Sequence, residues 1–394
     1  MLSRNLRHFR VFLAVCDSGS PSIAAGMCNI SQPAVTQAVA KLERECGGAL
    51  FDRTRAGFVL TERGAVLEPR LRRAMARLDH VLADVSPRLA VTATAAQLNA
   101  LIGVAEARNF TLAARELGLA QPTVHRAVSQ LEAEAGRPLF QRLPHGIIAS
   151  RACLDIAAGA RLALSELEQA ESELADFDGR EVGRITVGCL PLARSVILPQ
   201  ALERYRRVRP KQAITIHDAP YAELLRGLRG GEIDMIIGAL RDPVPIDDVV
   251  QDWLFDDDLA FIARPGHPLT EFDRIPPDAL ARHGWVVPRR GTPSRAQFDG
   301  LFQDGGGFQP DSIIECGSIL LMRELLALSD LVGCVSAQQA GAEIEKGLLA
   351  RLNVDVSFPR RAIGLTTRRG WMPTRAQDRL LGFIREVAAE IEPA

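Results

Sequence analysis

Apolar residues recur at three- and four-residue spacing in two stretches of the chain: Leu6, Phe9, Phe12 and Cys16, and again Leu98, Leu101, Ile102 and Ala105. That spacing gathers them on one helical face. A shorter helix is predicted after each, around Ala24-Ala25 and around Ala113-Ala114. The small side chains there let helices approach closely. Ser31 reads as an N-cap, and Pro33 and Pro122 suit the first turn of a third helix. That helix runs from Ala34 to about Cys46, or from Thr123 to about Ala135, and stops before a glycine. Apolar stripes suited to partner helices follow over residues 62–85 (Val66, Leu67, Leu71, Met75, Leu78, Leu82) and 152–177 (Leu154, Ile156, Ala157, Leu162, Leu164, Leu167, Leu174).

The similarity of the two stretches is a repeat in constant register. Gln32-Pro33-x-Val35 returns as Gln121-Pro122-x-Val124. Leu42-Glu43-x-Glu45-x-Gly47 returns as Leu131-Glu132-x-Glu134-x-Gly136, and Leu50-Phe51-x-Arg53 as Leu139-Phe140-x-Arg142, every pair 89 positions apart. Ungapped register over this distance marks a duplicated unit. Two short helices joined by a tight turn, the second polar at its start, fit helix-turn-helix geometry, whose second helix enters the DNA major groove. The candidate DNA-facing residues of the first copy are Ser31, Gln32, Pro33, Ala34, Thr36, Gln37 and Lys41, with Arg53 and Arg55 on a wing. In the second copy they are Gln121, Pro122, Thr123, His125, Arg126 and Gln130, with Arg142.

Charge sharpens this. The whole chain carries a net charge of −1, so no global field points to nucleic acid. Residues 1–90, however, hold 13 Lys and Arg against 8 Asp and Glu, and residues 91–150 hold 5 against 4. Residues 151–181 hold 3 against 8. The basic excess, and with it the expected phosphate footprint, sits in the first copy.

From Val182 short apolar runs alternate with amphipathic stretches, which argues for α/β layering. The strands expected are Ile185–Gly188, Ala213–His217, Met235–Gly238, Leu259–Ala263, Trp285–Val287, Leu331–Val335 and Ile363–Thr366. Helices are expected to begin near Ser195, Tyr221, Ser318 and Ala337, with a last one across Thr374–Glu390.

The segments IAAGMCNISQPAVTQAVAKLERECGGALFDRTRAGFVLTERG and AARELGLAQPTVHRAVSQLEAEAGRPLFQR resemble the winged helix-turn-helix of LysR-type transcriptional regulators. GRITVGCLPLARSVILPQALERYRRVRP, LRGGEIDMIIGAL, DLAFIARPGHPL and LARLNVD resemble the effector-binding domain of the same family. The resemblance implies a multi-domain chain: two all-α winged helix-turn-helix units followed by an α/β two-lobe effector domain like a periplasmic binding protein. The expected divisions are residues 1–61, first winged unit; 62–90, connecting helix; 91–150, second winged unit; 151–181, linker or dimerisation helix; and 182–394, effector domain. Lobe I would span about 182–261 and 352–394, and lobe II about 262–351.

This chain departs from the family in carrying two winged units where one is usual. The copies have also diverged. The first keeps the wing ending Leu60-Thr61-x-x-Gly64 but has Pro21 where the family shows a Phe. The second keeps Phe110-Thr111 and Leu117 but has Ile147-Ile148-Ala149-Ser150 in its wing and His125 where Ser or Thr is usual. Linker helices in this family pair between subunits. Two units per chain let a dimer present four readers; alternatively the two connecting helices pair within one chain as an internal pseudo-dimer.

The resemblance implies an effector cleft lined by strand ends and helix N-termini, where free N–H groups favour anions. Candidate walls are Pro191, Leu192, Arg194 and Ser195; Thr292, Pro293 and Arg295; Gly317, Ser318 and Ile319; and Val335 and Ser336. Arg194, Arg241 and Arg295 are candidate clamps for a small organic carboxylate, because guanidinium forks match carboxylates. Gly305-Gly306-Gly307 lacks the Lys-Ser/Thr ending of a phosphate loop and reads as a turn.

The expected partners are therefore duplex operator DNA, a small effector and further copies of the chain, as a dimer or tetramer. No cofactor, metal site or enzymatic activity is expected: the histidines show no metal spacing, and there is no nucleophile elbow. The seven cysteines lack any C-x-x-C pair and read as reduced thiols, with a redox sensor as the minority reading. With no signal-peptide pattern at Met1 and no membrane-length apolar run, a cytoplasmic location is expected. The alternative function is a small-molecule sensor or adaptor whose helical units serve assembly.

Overall fold

The computed structural model describes residues 2, 4–55, 57–143, 146–304, 310, 312–354 and 359–391. They form two compact units, with the boundary between Gly183 and Arg184.

In the first unit, Asn5 caps α1 (Leu6–Ser18) by accepting from the N–H groups of Arg7 and His8. Then come α2 (Pro21–Cys28), α3 (Gln32–Cys46), a hairpin of β1 (Phe51–Thr54) and β2 (Gly57–Leu60), α4 (Glu62–Ala83) and a short α5 (Pro87–Thr92). The second copy repeats the order: α6 (Ala95–Ala107), α7 (Phe110–Glu116), α8 (Gln121–Ala135), β3 (Phe140–Leu143), β4 (Gly146–Ala149) and α9 (Arg151–Phe177). The all-α reading thus gains an antiparallel two-stranded wing in each copy. The second wing pairs fully despite its divergent sequence. Ser150 caps α9 as Thr61 caps α4, each side-chain oxygen accepting the N–H three residues on. Gly47 and Gly136, at φ +77° and +66°, end α3 and α8 in the left-handed region that glycine enters without strain.

The duplication extends to the core. Leu42, Leu50, Leu131 and Leu139 are all fully buried, and Phe51 and Phe140 close the two units from the wing side. The long helices α4 and α9 pack along one another within the chain. Arg63 pairs with Asp178, Arg70 with Glu166 and Glu173, and Val81 lies against Gly159. Partner numbers fall as α4 advances, so the pair is antiparallel. Within the one chain described, the two connecting helices therefore lie against each other.

The second unit holds two five-stranded sheets. The first has the order β6-β5-β7-β14-β8, from β5 (Arg184–Cys189), β6 (Ala213–Asp218), β7 (Met235–Ala239), β8 (Val249–Asp257) and the late strand β14 (Arg361–Arg368). The second has the order β11-β10-β12-β9-β13, from β9 (Leu259–Ala263), β10 (Gly284–Val287), β11 (Ser312–Glu315), β12 (Val332–Ser336) and β13 (Ala350–Leu352). Each sheet has three parallel strands followed by two antiparallel joins. The helices are α10 (Ile197–Val208), α11 (Tyr221–Gly230), α12 (Pro277–Ala281), α13 (Pro293–Asp304), α14 (Ile319–Ala327), α15 (Ala337–Glu345) and α16 (Arg375–Ala389).

The chain crosses between sheets at Asp258, not near residue 261, because all of β9 pairs with β12 and β13. Leu352 likewise belongs to the second sheet, through its partner Phe261. Three strands escape the apolar-run criterion. β8 and β11 are edge strands with charged or exposed positions, and β13 has three residues. The triple glycine lies outside the described residues.

Candidate nucleic-acid interface and effector cleft

The turn into each third helix is set by one left-handed residue, Asn29 at φ 53° in the first copy and Gly118 at φ 65° in the second. Ser31 then caps α3 by accepting from Ala34 N–H at 3.4 Å. Val35, Val39 and Leu42 point into the core, which turns Gln32, Pro33, Thr36, Gln37 and Lys41 to solvent. Ala34 is half-buried. The Thr36 hydroxyl donates back to the Gln32 carbonyl at 3.2 Å. Arg44 is also exposed, one turn beyond Lys41 in line with Thr36 and Gln37. It escaped sequence reading because it lies past the polar start of the helix.

In α8, Val124, Val128 and Leu131 are the buried face, and Gln121, Pro122, Thr123, Arg126 and Gln130 are exposed. Two differences from α3 follow from single residues. Ala120 replaces Ser31 as the residue before the helix and provides no side-chain cap. His125 is half-buried: its ring lies 5.2 Å from that of Phe110, and its Nδ1 is 3.4 Å from Ser129 Oγ. Phe110 stands where the first copy has Pro21, so the aromatic shelf under His125 is specific to the second copy. The Gln130 side-chain oxygen accepts from Gln97 at 3.2 Å.

Arg53 and Arg55 are exposed on the first wing, with the Arg53 guanidinium 5.5 Å from the Phe58 ring centre. Arg142 sits opposite Ile147 in the second hairpin; its side chain lies outside the described atoms.

In the second unit a cavity of about 700 Å³ is lined by Arg241 from the end of β7 and by Arg290, Gly291, Thr292, Pro293, Arg295, Ala296, Phe298, Asp299, Pro310 and Ile313 from the other lobe. Arg241 is half-buried over the Tyr221 ring, 4.4 Å from its centre. The Gln251 amide brackets the Arg241 backbone at 2.8 and 2.7 Å. Burial pushes the Arg241 guanidinium below its ordinary value and the Tyr221 phenol above its own. The Tyr221 hydroxyl has no hydrogen-bond partner among the described residues. Arg295 also lines the cavity, but it is held by Asp299 at 2.6 Å and Glu315 at 2.9 Å. Thr292 Oγ1 accepts from Arg295 N–H at 3.3 Å and so opens α13. Arg241, Thr292, Pro293 and Arg295 are therefore brought together.

The other predicted walls lie elsewhere. Pro191, Leu192 and Arg194 form a 3-10 turn ended by Ser195, and Arg194 pairs with Asp218. Gly317 precedes Ser318, which caps α14 ahead of Ile319. Val335 is core, and buried Ser336 donates to Asp257 at 3.0 Å while capping α15. Asp257 also pairs with Arg361, whose guanidinium reaches Ser294 beside the cavity. Phe298 and Asp299 reach the cavity only because α13 brings them back beside Thr292, whereas Arg290 and Gly291 adjoin Thr292 in sequence and carry no local signal that sets them apart.

The family model for the bacterial regulatory helix-turn-helix protein, lysR family, matches twice, at residues 6–65 and 95–153. The model for the LysR substrate binding domain matches residues 178–389. The HTH-type transcriptional regulator GalR of Pseudomonas putida is 35% identical over 394 residues, 98% of each chain. The HTH-type transcriptional regulator PcaQ of Agrobacterium fabrum is 28% identical over 297 residues, 75% of this chain and 94% of that one. Among solved structures, a full-length OxyR variant from Pseudomonas aeruginosa has a TM-score of 0.53 at 21% identity, covering 75% of this chain and 95% of the other. CbnR, a LysR family transcriptional regulator, has a TM-score of 0.51 at 22% identity, covering 74% and 98%. The chain belongs to the LysR family of DNA-binding transcription regulators and carries that family's substrate-binding domain. It is a regulator, not an enzyme.

Proposed function

We propose that α3 and α8 are the base-reading helices and that the cavity beside Arg241 takes a small organic anion, a carboxylate in the simplest case. The observation that carries the first part is the exposed polar face shared by both helices: Gln32, Thr36, Gln37 and Lys41 in one, Gln121, Thr123, Arg126 and Gln130 in the other. Amide and guanidinium side chains at the start of a helix are the groups that pair with base edges. Arg53 and Arg55 add phosphate contacts from the wing. Ser31 and Pro33 act mainly by setting the helix start.

For the effector, the cation that best fits a clamp is Arg241. It is half-buried at the strand end that lines the cavity, and it is held by an aromatic ring instead of a carboxylate. Arg295 already carries two carboxylates, so it shapes the wall. A homo-oligomer would assemble through surfaces other than the α4–α9 seam, which is filled within the chain.

Mobility shifts on random-sequence duplex pools at two salt concentrations test the first part: sequence-preferring, salt-weakened binding is expected. Binding without any sequence preference favours the adaptor reading. A thermal-shift panel pairing small carboxylates with their amides tests the second. Stabilisation by a carboxylate, absent with its amide and lost in Arg241→Ala, is expected; equal response of the variant rejects Arg241 as the clamp.

A further inference from the structure

Arg77 of α4 and Glu166 of α9 are the same position of the two copies, 89 residues apart. They face one another across the helix pair at 3.8 Å. In a symmetric pair of two α4 helices in this register, Arg77 would meet Arg77; in a pair of α9 helices, Glu166 would meet Glu166. The same logic holds two turns away. Arg70 is fully buried and gives its guanidinium to Glu166 at 3.0 Å, Gln169 at 2.6 Å and Glu173 at 2.9 Å. The first-copy residues equivalent to those three partners are Arg77 and His80 of α4 and Asp84 at its C-terminal cap, so a second α4 would set an arginine where Glu166 now stands. The α9 residue equivalent to Arg70 is Gly159. A side chain there would meet Val81 at 2.7 Å, so the other end of the pair is closed by the absence of a side chain. Arg73 adds a third cation to Glu166 at 2.9 Å.

Like charges brought together in a partly desolvated seam oppose pairing, and unlike charges select it. Ancestrally equivalent helices have thus diverged into a basic and an acidic partner that fit each other and not themselves.

We propose that this pair makes each chain a covalent, asymmetric counterpart of a two-reader dimer, and that one chain reads a duplex DNA site of two unlike half-sites, the first through α3 and the second through α8. The inference rests on the reading of those two helices as the base readers. Within the first unit, the antiparallel pair relates the two winged copies by an approximate two-fold, which is what two half-sites about a dyad require. The readers differ where they would touch bases. Gln32 and Gln121 are shared, but Ala34, Thr36, Gln37 and Lys41 stand where the second copy has Thr123, His125, Arg126 and Gln130. Lys41 and Arg126 place their cations one turn apart along the two helices, and His125 is held against Phe110. A palindrome cannot satisfy both faces.

The test selects duplexes from a randomised pool with the full-length protein and repeats the selection with Gln32→Ala and Gln121→Ala. The expected motif has two different halves, with each variant erasing information from one half only. The mass of the complex should give two half-sites per chain. A perfect inverted repeat, or two variants that weaken the same half, overturns the proposal while leaving DNA reading intact. A pool with no enriched sequence overturns the base-reader assignment and this proposal with it. A second measurement concerns the helix pair alone. The Cβ of a residue at 159 would lie 3.2 Å from Val81 Cβ, close to disulfide range. Oxidised Val81→Cys/Gly159→Cys protein is expected to run as a single cross-linked chain on a non-reducing gel. A covalent pair of chains specific to that double variant would show that α4 and α9 pair between molecules, and would overturn the one-chain reading.

Discussion

Glu43 and Glu132 sit 89 positions apart and hold the same joint: each carboxylate accepts the backbone N–H of a fully buried leucine seven residues on, Leu50 at 2.9 Å and Leu139 at 2.8 Å. The contact fastens the end of the third helix of each copy to the first strand of its wing. A charged acceptor on a buried N–H contributes about 1.5–3 kcal/mol. Glu43→Ala and Glu132→Ala should each lower stability by that order in urea denaturation, with Glu43→Gln losing less because an oxygen acceptor remains. Equal stability of Glu43→Ala and the parent protein would mean that the joint contributes nothing.

That joint explains why the repeat was legible. Leu-Glu, the helix-ending Gly and Leu-Phe are residues whose backbone or core roles are local, so they survive in both copies at one spacing. The strands around fully apolar runs were legible for the same reason. The α4–α9 seam was legible only as two apolar stripes. Arg70 reads as a surface charge in sequence, because nothing local reveals that Glu166, Gln169 and Glu173 converge on it from a helix about a hundred residues away. The cleft was half legible. Thr292, Pro293 and Arg295 follow a recognisable strand, but Ser336 and Ser318, which look like ligand hydroxyls, are used as helix caps.

Gly64 offers a sharper contrast between the copies. A Cβ there would lie 2.3 Å from the Leu50 carbonyl oxygen. That oxygen accepts from Thr61 N–H at 3.0 Å and cannot withdraw without breaking the wing. The equivalent position of the second copy holds Cys153, whose side chain is fully buried. Gly64→Ala should therefore destabilise the first winged unit by roughly 1–3 kcal/mol, the range for overpacking. Cys153→Ala should leave α9 capped by Ser150. Denaturation followed by wing-sensitive proteolysis checks both.

The thiols predict a pH window. Burial pushes Cys16, Cys46, Cys153, Cys189 and Cys334 up from 9.0 to about 12. A raised thiol favours the neutral form in the folded protein, while the unfolded chain ionises from its ordinary value. The associated stability is present below pH 9 and is lost as pH rises toward 12. Denaturation midpoints should fall across that interval. At neutral pH these five thiols should resist iodoacetamide until the chain unfolds, since thiolate is the reactive form. Rapid native-state alkylation of Cys189 or Cys334 would contradict the burial that sets the shift.

The seam predicts an asymmetric response to mutation. Arg70→Leu leaves two carboxylates and an amide facing a dry interface, and removing one member of a buried pair costs about 3–5 kcal/mol. Replacing the facing carboxylate as well, in Arg70→Leu/Glu173→Leu, removes one uncompensated charge and should recover part of the loss. Glu166 keeps Arg73 and Arg77 as partners in both variants. The double-mutant cycle isolates the pair from the packing each side chain also provides. Charge reversal separates recognition from stability. Arg77→Glu alone faces Glu166 with a like charge and should loosen α4 from α9, whereas Arg77→Glu/Glu166→Arg restores opposite signs at that contact. The reversed pair, however, sets a guanidinium beside Arg70 and Arg73, so its recovery should be partial. Hydrogen exchange over residues 62–83 and 151–177 reads both effects. Full protection in Arg77→Glu would mean that the Arg77–Glu166 contact plays no part in choosing the partner, and that Arg70 and Arg73 with the apolar packing hold the pair without it.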